Sequence, residues 1–172
     1  MKPHFKLEAV EVANTPDGGA LLLTYADGVK YTVNIAPIIA KAPSLRTLAK
    51  PAVFRRAKLG EFGRCVTWGD DELELAGDDL RAEAIEQAGG ISHEFILEWM
   101  HRNRLTIEAA AAALGLSVRM LAYYRSGEKP VPRTVALACR GWEAIKASRV
   151  AGDDRLHLPP DLKPITMREN KT

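Results

Sequence analysis

The stretch LTIEAAAAALGLSVRMLAYYRSGEKPVP, residues 105–132, reads as two short helices joined at Gly115-Leu116-Ser117. The first is mostly alanine, and the second has one charged residue, Arg119, before Arg125. The chemistry open to such a stretch is binding rather than reaction. It has the outline of a hairpin that lays a helix against DNA, and a basic surface attracts a polyanion. Charge along the chain agrees. Residues 93–150 hold 9 Lys/Arg against 5 Asp/Glu, a net of +4. Residues 1–92 hold 11 against 13, a net of −2, and residues 151–172 hold 4 against 4. The overall +2 hides a basic excess in the segment that contains the hairpin.

No other residues have the spacing that catalysis or metal binding needs. Cys65 and Cys139 sit in apolar contexts with no His or Cys neighbour at ligand spacing, and read as buried, reduced thiols. His93 and His101 lie more than two helical turns apart, too far to share a metal. Asp70, Asp71, Asp78 and Asp79 suit a turn and a helix start, and no His or Glu pairs with them at ligand spacing. There is no Ser/His/Asp or Cys/His arrangement and no Gly-rich phosphate loop. Arg55, Arg56 and Lys58 read as a solvated helix face. The sequence predicts no enzyme, no catalytic residue, no metal site and no cofactor.

These residues need elements to position them, and 172 residues that are 47% hydrophobic suffice for one large or two small domains. The opening MKPHFKLEAVEV has no long apolar core, and no apolar run approaches the ~18 residues of a membrane span. A soluble cytoplasmic protein with no membrane partner is expected. The first third is β-rich, with three antiparallel strands expected near residues 5–13, 20–26 and 29–34. Asp27-Gly28 is a hairpin signal in which both turn positions want φ > 0, and TPDGG is a turn of the same chemistry. From Ile35, Pro37, Pro43 and Pro51 cut the chain into short helical pieces. The piece opened by Pro51 carries Val53 and Phe54 inward. Cys65 to Trp68 suits a strand, Gly69-Asp70-Asp71 a turn, ELEL a returning strand, and DDLRAEAIEQA a helix ended by Gly89 or Gly90.

Ser92 can cap a following helix, HEFILEWMHRN, with Phe95, Ile96, Trp99 and Met100 on one face. Asn103 and Arg104 end it. Thr106 caps the next helix, which runs to Leu114 and ends at Gly115. Ser117 caps a third, running to about Arg125 and closed by Gly127. A fourth has Pro132 in its first turn and Val135, Leu137, Ala138, Trp142 and Ile145 as its core. The polar, Pro-rich tail is expected to be loosely ordered or draped on the surface. The fold class expected is therefore α+β: a small antiparallel β-sheet domain with short helices, residues 1–88, then an all-α domain, residues 92–149, and a tail, residues 150–172.

Residues 5–82 resemble a family of small uncharacterised bacterial α+β domains. The matching segments are TYADGVKYTVNIAPII, SLRTLAKPAVF and GRCVTWGDDELELAGDDL. The family's usual Asp after the second hairpin strand is Asn34 here, and the resemblance implies no catalytic residue. Residues 93–147 resemble the lambda-repressor/Cro-like (Xre-type) helix-turn-helix family. The carriers are Leu105-Thr106, Ala111, Leu114-Gly115-Leu116-Ser117, Leu121, Tyr124, Gly127 and Pro130, the last one residue early. The resemblance implies that the third helix enters the major groove. Its base-facing residues are then Val118, Arg119, Ala122 and Tyr123. Arg119 can take guanine O6 and N7, and Val118 can meet a thymine methyl. Tyr124 is assigned to the core. Thr106, Ser117, Arg125, Lys129 and Arg133 would meet phosphates. Ile107 stands where members often carry Gln, and Arg125 where Glu is common, so base readout rests on few side chains.

The expected function is that of a DNA-binding transcriptional regulator acting as a homodimer on double-stranded DNA, with the N-terminal domain dimerising or binding a partner protein. A competing reading is a protein-interaction module, such as an antitoxin-like partner whose helical domain does not read DNA. A small-molecule sensor is a third.

Overall fold

Alternating apolar residues and tight turns build the first sheet. In the computed structural model, which describes residues 3–15, 18–69 and 73–151, strands β1 (Leu7–Thr15), β2 (Gly18–Tyr25) and β3 (Lys30–Asn34) form an antiparallel meander in the order β1-β2-β3. β1 starts and ends two residues later than the periodicity suggests. A register shift between Leu7 and Ala9 accompanies this. The β2–β3 connection also differs from expectation. Of Asp27 and Gly28, only Gly28 has a positive φ. Gly28 N–H donates to the Tyr25 carbonyl and Tyr25 N–H to Val29, both at 2.9 Å. The loop therefore has three residues, and Asp27 contributes its carboxylate, which accepts from Val29 N–H at 3.1 Å.

The prolines act as expected. Helix α1 (Ala36–Lys41), a 3₁₀ stretch (Pro43–Ala49) and helix α2 (Pro51–Phe54) are short pieces, each with proline in its first turn. A second antiparallel sheet follows, β4 (Lys58–Leu59), β5 (Cys65–Trp68) and β6 (Leu73–Ala76), in the order β4-β5-β6. The two-residue β4 was not foreseen, because two exposed residues carry no alternation. Helix α3 (Gly77–Gln87) ends in a Schellman pattern: Gly89 N–H reaches Glu86 and Gly90 N–H reaches Ile85, both at 2.9 Å. The turns at TPDGG and Gly69-Asp70-Asp71 and the tail beyond residue 151 lie wholly or partly outside the described residues.

The core of this part gathers Leu7, Leu21, Leu23, Tyr25, Val33, Leu48, Phe54, Val66, Trp68 and Leu80. Trp68 stacks on Phe54 with centroids 6.2 Å apart and donates its indole N–H to the Phe54 carbonyl at 3.0 Å. Arg81 is buried among these elements. Its Nη1 donates to the His4 carbonyl at 2.6 Å, Nη2 pairs with Asp27 at 2.8 Å, and the guanidinium lies over the rings of Tyr25 and Tyr31. Burial pushes the Asp27 carboxyl up, but its bonds to Arg81 and to Val29 N–H outweigh that and hold it below the usual range. Burial also pushes the Tyr25 hydroxyl up, and that hydroxyl donates to the Gly77 carbonyl at 2.8 Å. The Gln87 side chain closes α3 onto β3, donating to the Asn34 carbonyl and accepting its N–H.

The chain divides into two compact units between Ser92 and His93. The second is helical: α4 (His93–Asn103), α5 (Ile107–Leu114), α6 (Val118–Arg125) and α7 (Arg133–Ala151). Ile96, Trp99, Met100, Ala110, Ala111, Leu121, Val131, Val135 and Cys139 are buried. Two core expectations for α7 fail. Leu137 is 59% exposed, and Ala138 is exposed. The inward stripe runs through Val135, Cys139 and Trp142, at i, i+4 and i+7, which turns Leu137 to the far side. Trp142 and Ile145 are half-buried, and Trp142 meets Trp99 edge-on at 5.6 Å. Cys139 is buried, and burial pushes its thiol up to about 11. Cys65, expected in the core, is half-buried, with Sγ 3.7 Å from the Glu74 carboxylate.

Candidate nucleic-acid interface

The α5–α6 hairpin is set by its ends. The Thr106 hydroxyl caps α5 by accepting from Ala109 N–H, and the Ser117 hydroxyl caps α6 by accepting from Met120 N–H, both at 3.2 Å. Gly115 closes α5 at φ 66°, where Leu116 N–H reaches back to Ala111 at 2.9 Å and Gly115 N–H to Ala112 at 3.2 Å. That left-handed residue reverses the chain within two residues and points α6 away from α5. Ala110 and Ala111 are fully buried, so the alanines let other helices approach closely, while Leu121 plugs α6 into the core. Leu114 and Leu116 are half-buried.

With Leu121 inward, the other side of α6 faces solvent. Val118 is 43% exposed, Arg119 and Arg125 are exposed, and Ala122, Tyr123 and Tyr124 are half-buried. Tyr124, expected in the core, is half-buried, as is Tyr123. Lys129 and Arg133 are exposed.

Three of these residues form one group. Arg119 Nε donates to the Tyr123 hydroxyl at 2.7 Å, and its guanidinium lies 5.5 Å from the Tyr123 ring centroid. Lys129 Nζ lies 5.1 Å from the same centroid. The Tyr123 contact also pushes the Arg119 group up. Backbone geometry brings Lys129 there. The N–H groups of Glu128 and Lys129 both donate to the Tyr123 carbonyl, at 3.0 and 3.2 Å, wrapping the chain around the end of α6. The Arg119–Tyr123 bond uses Nε, not the paired Nη groups of a bidentate contact.

The organising role of Tyr123 was only half legible. Its i, i+4 spacing from Arg119 was visible. Its contact with Lys129 depends on the turn after α6. Thr106 and Ser117 spend one lone pair on capping and keep a hydroxyl hydrogen to donate. Arg125 and Arg133 lie outside the Tyr123 group.

A network joins the other two helices of this unit, α4 and α7. Glu143 on α7 accepts from Arg102 Nε at 3.0 Å and from Asn103 Nδ2 at 2.8 Å, both on α4. Lys146 Nζ donates to Asn103 Oδ1 at 3.3 Å. Among the described residues, no group of His, Cys, Asp and Glu could hold a metal ion, and no helix is long and apolar enough to cross a membrane. His93 is buried beside Glu94, with Nε2 to Oε1 at 3.2 Å.

No protein-family model and no curated protein matches the chain. Among solved structures it is similar to one from Nitrosomonas europaea ATCC 19718, described as "Putative DNA Binding Protein NE0471". The two share 40% sequence identity and a TM-score of 0.74, over 95% of this chain and 99% of the other.

Proposed function

The chain belongs to the same family as the Nitrosomonas europaea protein NE0471, and from that premise we propose that it is a DNA-binding transcriptional regulator that reads duplex DNA with α6. The observation that carries this reading is the capped α5–α6 hairpin, whose solvent side presents Val118, Arg119, Ala122 and Tyr123 together with Lys129. The Xre-type pattern puts such a helix into the major groove.

The division of labour follows from chemistry. Arg119 supplies the bidentate donors for a guanine edge, and Val118 an apolar contact for a thymine methyl. Thr106, Ser117, Arg125, Lys129 and Arg133 supply donors to phosphates, which set position and orientation rather than sequence. With few base-reading side chains, affinity leans on phosphates and falls steeply with salt. One such module makes few contacts, so a homodimer on two half-sites fits best. The 1–88 domain would dimerise or hold a protein partner, and the 92–149 domain would bind DNA.

A salt titration of binding to a promoter fragment tests this, with Arg119→Ala beside the wild type. Binding at low salt that weakens as salt rises, and that Arg119→Ala reduces, is the expected result. No binding at low salt, or an unchanged Arg119→Ala variant, would sink the reading and leave the hairpin as a protein-interaction surface.

A further inference from the structure

An aromatic ring stands in solvent on the N-terminal unit, on a loop built to hold it there. Phe62 is 69% exposed in the turn Glu61–Gly63 between β4 and β5. Its backbone is left-handed, φ 55° and ψ 18°, a conformation that a bulky residue adopts only where its surroundings impose it. Here they do. Gly60 N–H donates to the Cys65 carbonyl at 2.9 Å, Gly63 N–H to Gly60 at 3.1 Å, and Arg64 N–H to Glu61 at 3.2 Å. Gly63 is buried against β1 so closely that a Cβ there would lie 2.1 Å from the Leu7 carbonyl oxygen. Pinned at Gly63, the turn carries Phe62 outward.

One cation stands by the ring, and others lie close to it in the chain. The Arg64 guanidinium lies 5.9 Å from its centroid. Arg55 and Arg56 directly after α2, Lys58 in β4, and Arg64 are all exposed. Residues 46–64 hold 6 Lys/Arg against 1 Asp/Glu, whereas the rest of residues 1–92 hold 5 against 12. An ordinary solvated face mixes its charges. This segment of the chain concentrates positive charge in a unit that is otherwise acidic.

Phosphate and a flat apolar ring are the ligand chemistry that this combination fits. An apolar protein patch would need more than one exposed aromatic, and the exposed chain neighbours of Phe62 are mostly charged. A duplex hides its base faces in the stack, whereas an unpaired base offers a face to Phe62. We propose that this loop is a second nucleic-acid site, which binds single-stranded DNA by stacking a base on Phe62 and pairing Arg55, Arg56, Lys58 and Arg64 with phosphates. The site lies on the N-terminal unit, and the proposal does not rest on the duplex reading.

The test uses the full chain and a short labelled oligothymidylate, read by fluorescence anisotropy at low salt. Arg119→Ala serves as the α6 control and polyglutamate as competitor. Binding should weaken with salt, fall about tenfold in Phe62→Ala, persist in Phe62→Trp, and fall far less in Arg119→Ala than in Phe62→Ala. Arg56→Glu should weaken it as well. Absence of binding, or equal binding by Phe62→Ala and wild type, would overturn the proposal. So would a larger loss in Arg119→Ala than in Phe62→Ala, which would place the oligomer on α6. Displacement by polyglutamate as readily as by unlabelled oligothymidylate would mark the surface for an acidic protein instead and equally overturn it.

Discussion

Tyr123 decides where two cations of α6 and its flank stand. Its hydroxyl accepts from Arg119 Nε, and its ring carries both Arg119 and Lys129. An unrestrained arginine loses rotamer freedom on binding; one already held over a ring loses less. Tyr123→Phe keeps the ring and removes the hydroxyl. It should weaken binding to a selected DNA site a few-fold, less than Arg119→Ala, which removes the base-reading guanidinium itself. A larger loss in Tyr123→Phe than in Arg119→Ala, measured in parallel titrations, would contradict this ordering. Gly115 sets a second residue-scale prediction. A Cβ at Gly115 would meet nothing within 4 Å, so Gly115→Ala carries only the left-handed penalty of about 1–2 kcal/mol. Thermal unfolding followed by helical circular dichroism should show a lowered midpoint. An unchanged midpoint would mean that the turn can relax out of φ 66°.

Between elements, Glu143 fastens α7 to α4. Its side chain is 23% exposed and is shared by Arg102, Arg140 and Asn103. Burial pushes its carboxyl up, but hydrogen bonds from Asn103 and Arg102 outweigh burial and leave it below its ordinary 4.5. A carboxyl lowered in the folded state stabilises that state above its unfolded value, and the contribution is lost as pH falls through the folded value. The helical unit should therefore lose stability as pH drops below about 4.5, and Glu143→Gln should flatten that part of the pH profile. At neutral pH the substitution should cost about 1 kcal/mol or less, because the pair partners are partly exposed. An identical acid profile for Glu143→Gln in chemical denaturation would show that other carboxyls control it. Helix phase was the less legible part of α7. Val135, Leu137, Ala138, Trp142 and Ile145 surround the helix rather than marking one stripe. The structure buries the stripe through Val135 and Cys139 as α7 packs against α4 and α5, and it leaves Leu137 in solvent.

At the scale of the molecule, the two units differ in charge as well as in fold. The β-containing unit is acidic outside residues 46–64, and the helical unit is basic. On the proposed function, a basic unit that makes few base contacts would gain specificity by doubling them across a two-fold axis. Sites selected from genomic DNA by the purified chain should be palindromic, with half-sites about 10 bp apart, and sedimentation should report a dimer at the binding concentration. A monomer that selects a single unrepeated half-site would remove the dimer from the proposed function while leaving α6 as the reader.

The sequence alone determined what neighbours in the chain control. Thr106 and Ser117 cap helices three residues away, Gly115 reverses the chain, and Pro37, Pro43 and Pro51 start short helices, all through contacts within about one helical turn. Tertiary structure decided what joins residues far apart. Arg81 meets His4 and Asp27, Gln87 meets Asn34, and Glu143 meets Arg102 across intervals that no local pattern encodes. The outward ring of Phe62 belongs to the same class. Its φ is imposed by Gly63 packing on Leu7, more than fifty residues earlier. Local backbone preference writes caps and turns into the sequence. Burial of a side chain, and the partner that satisfies it, exist only once distant segments have packed.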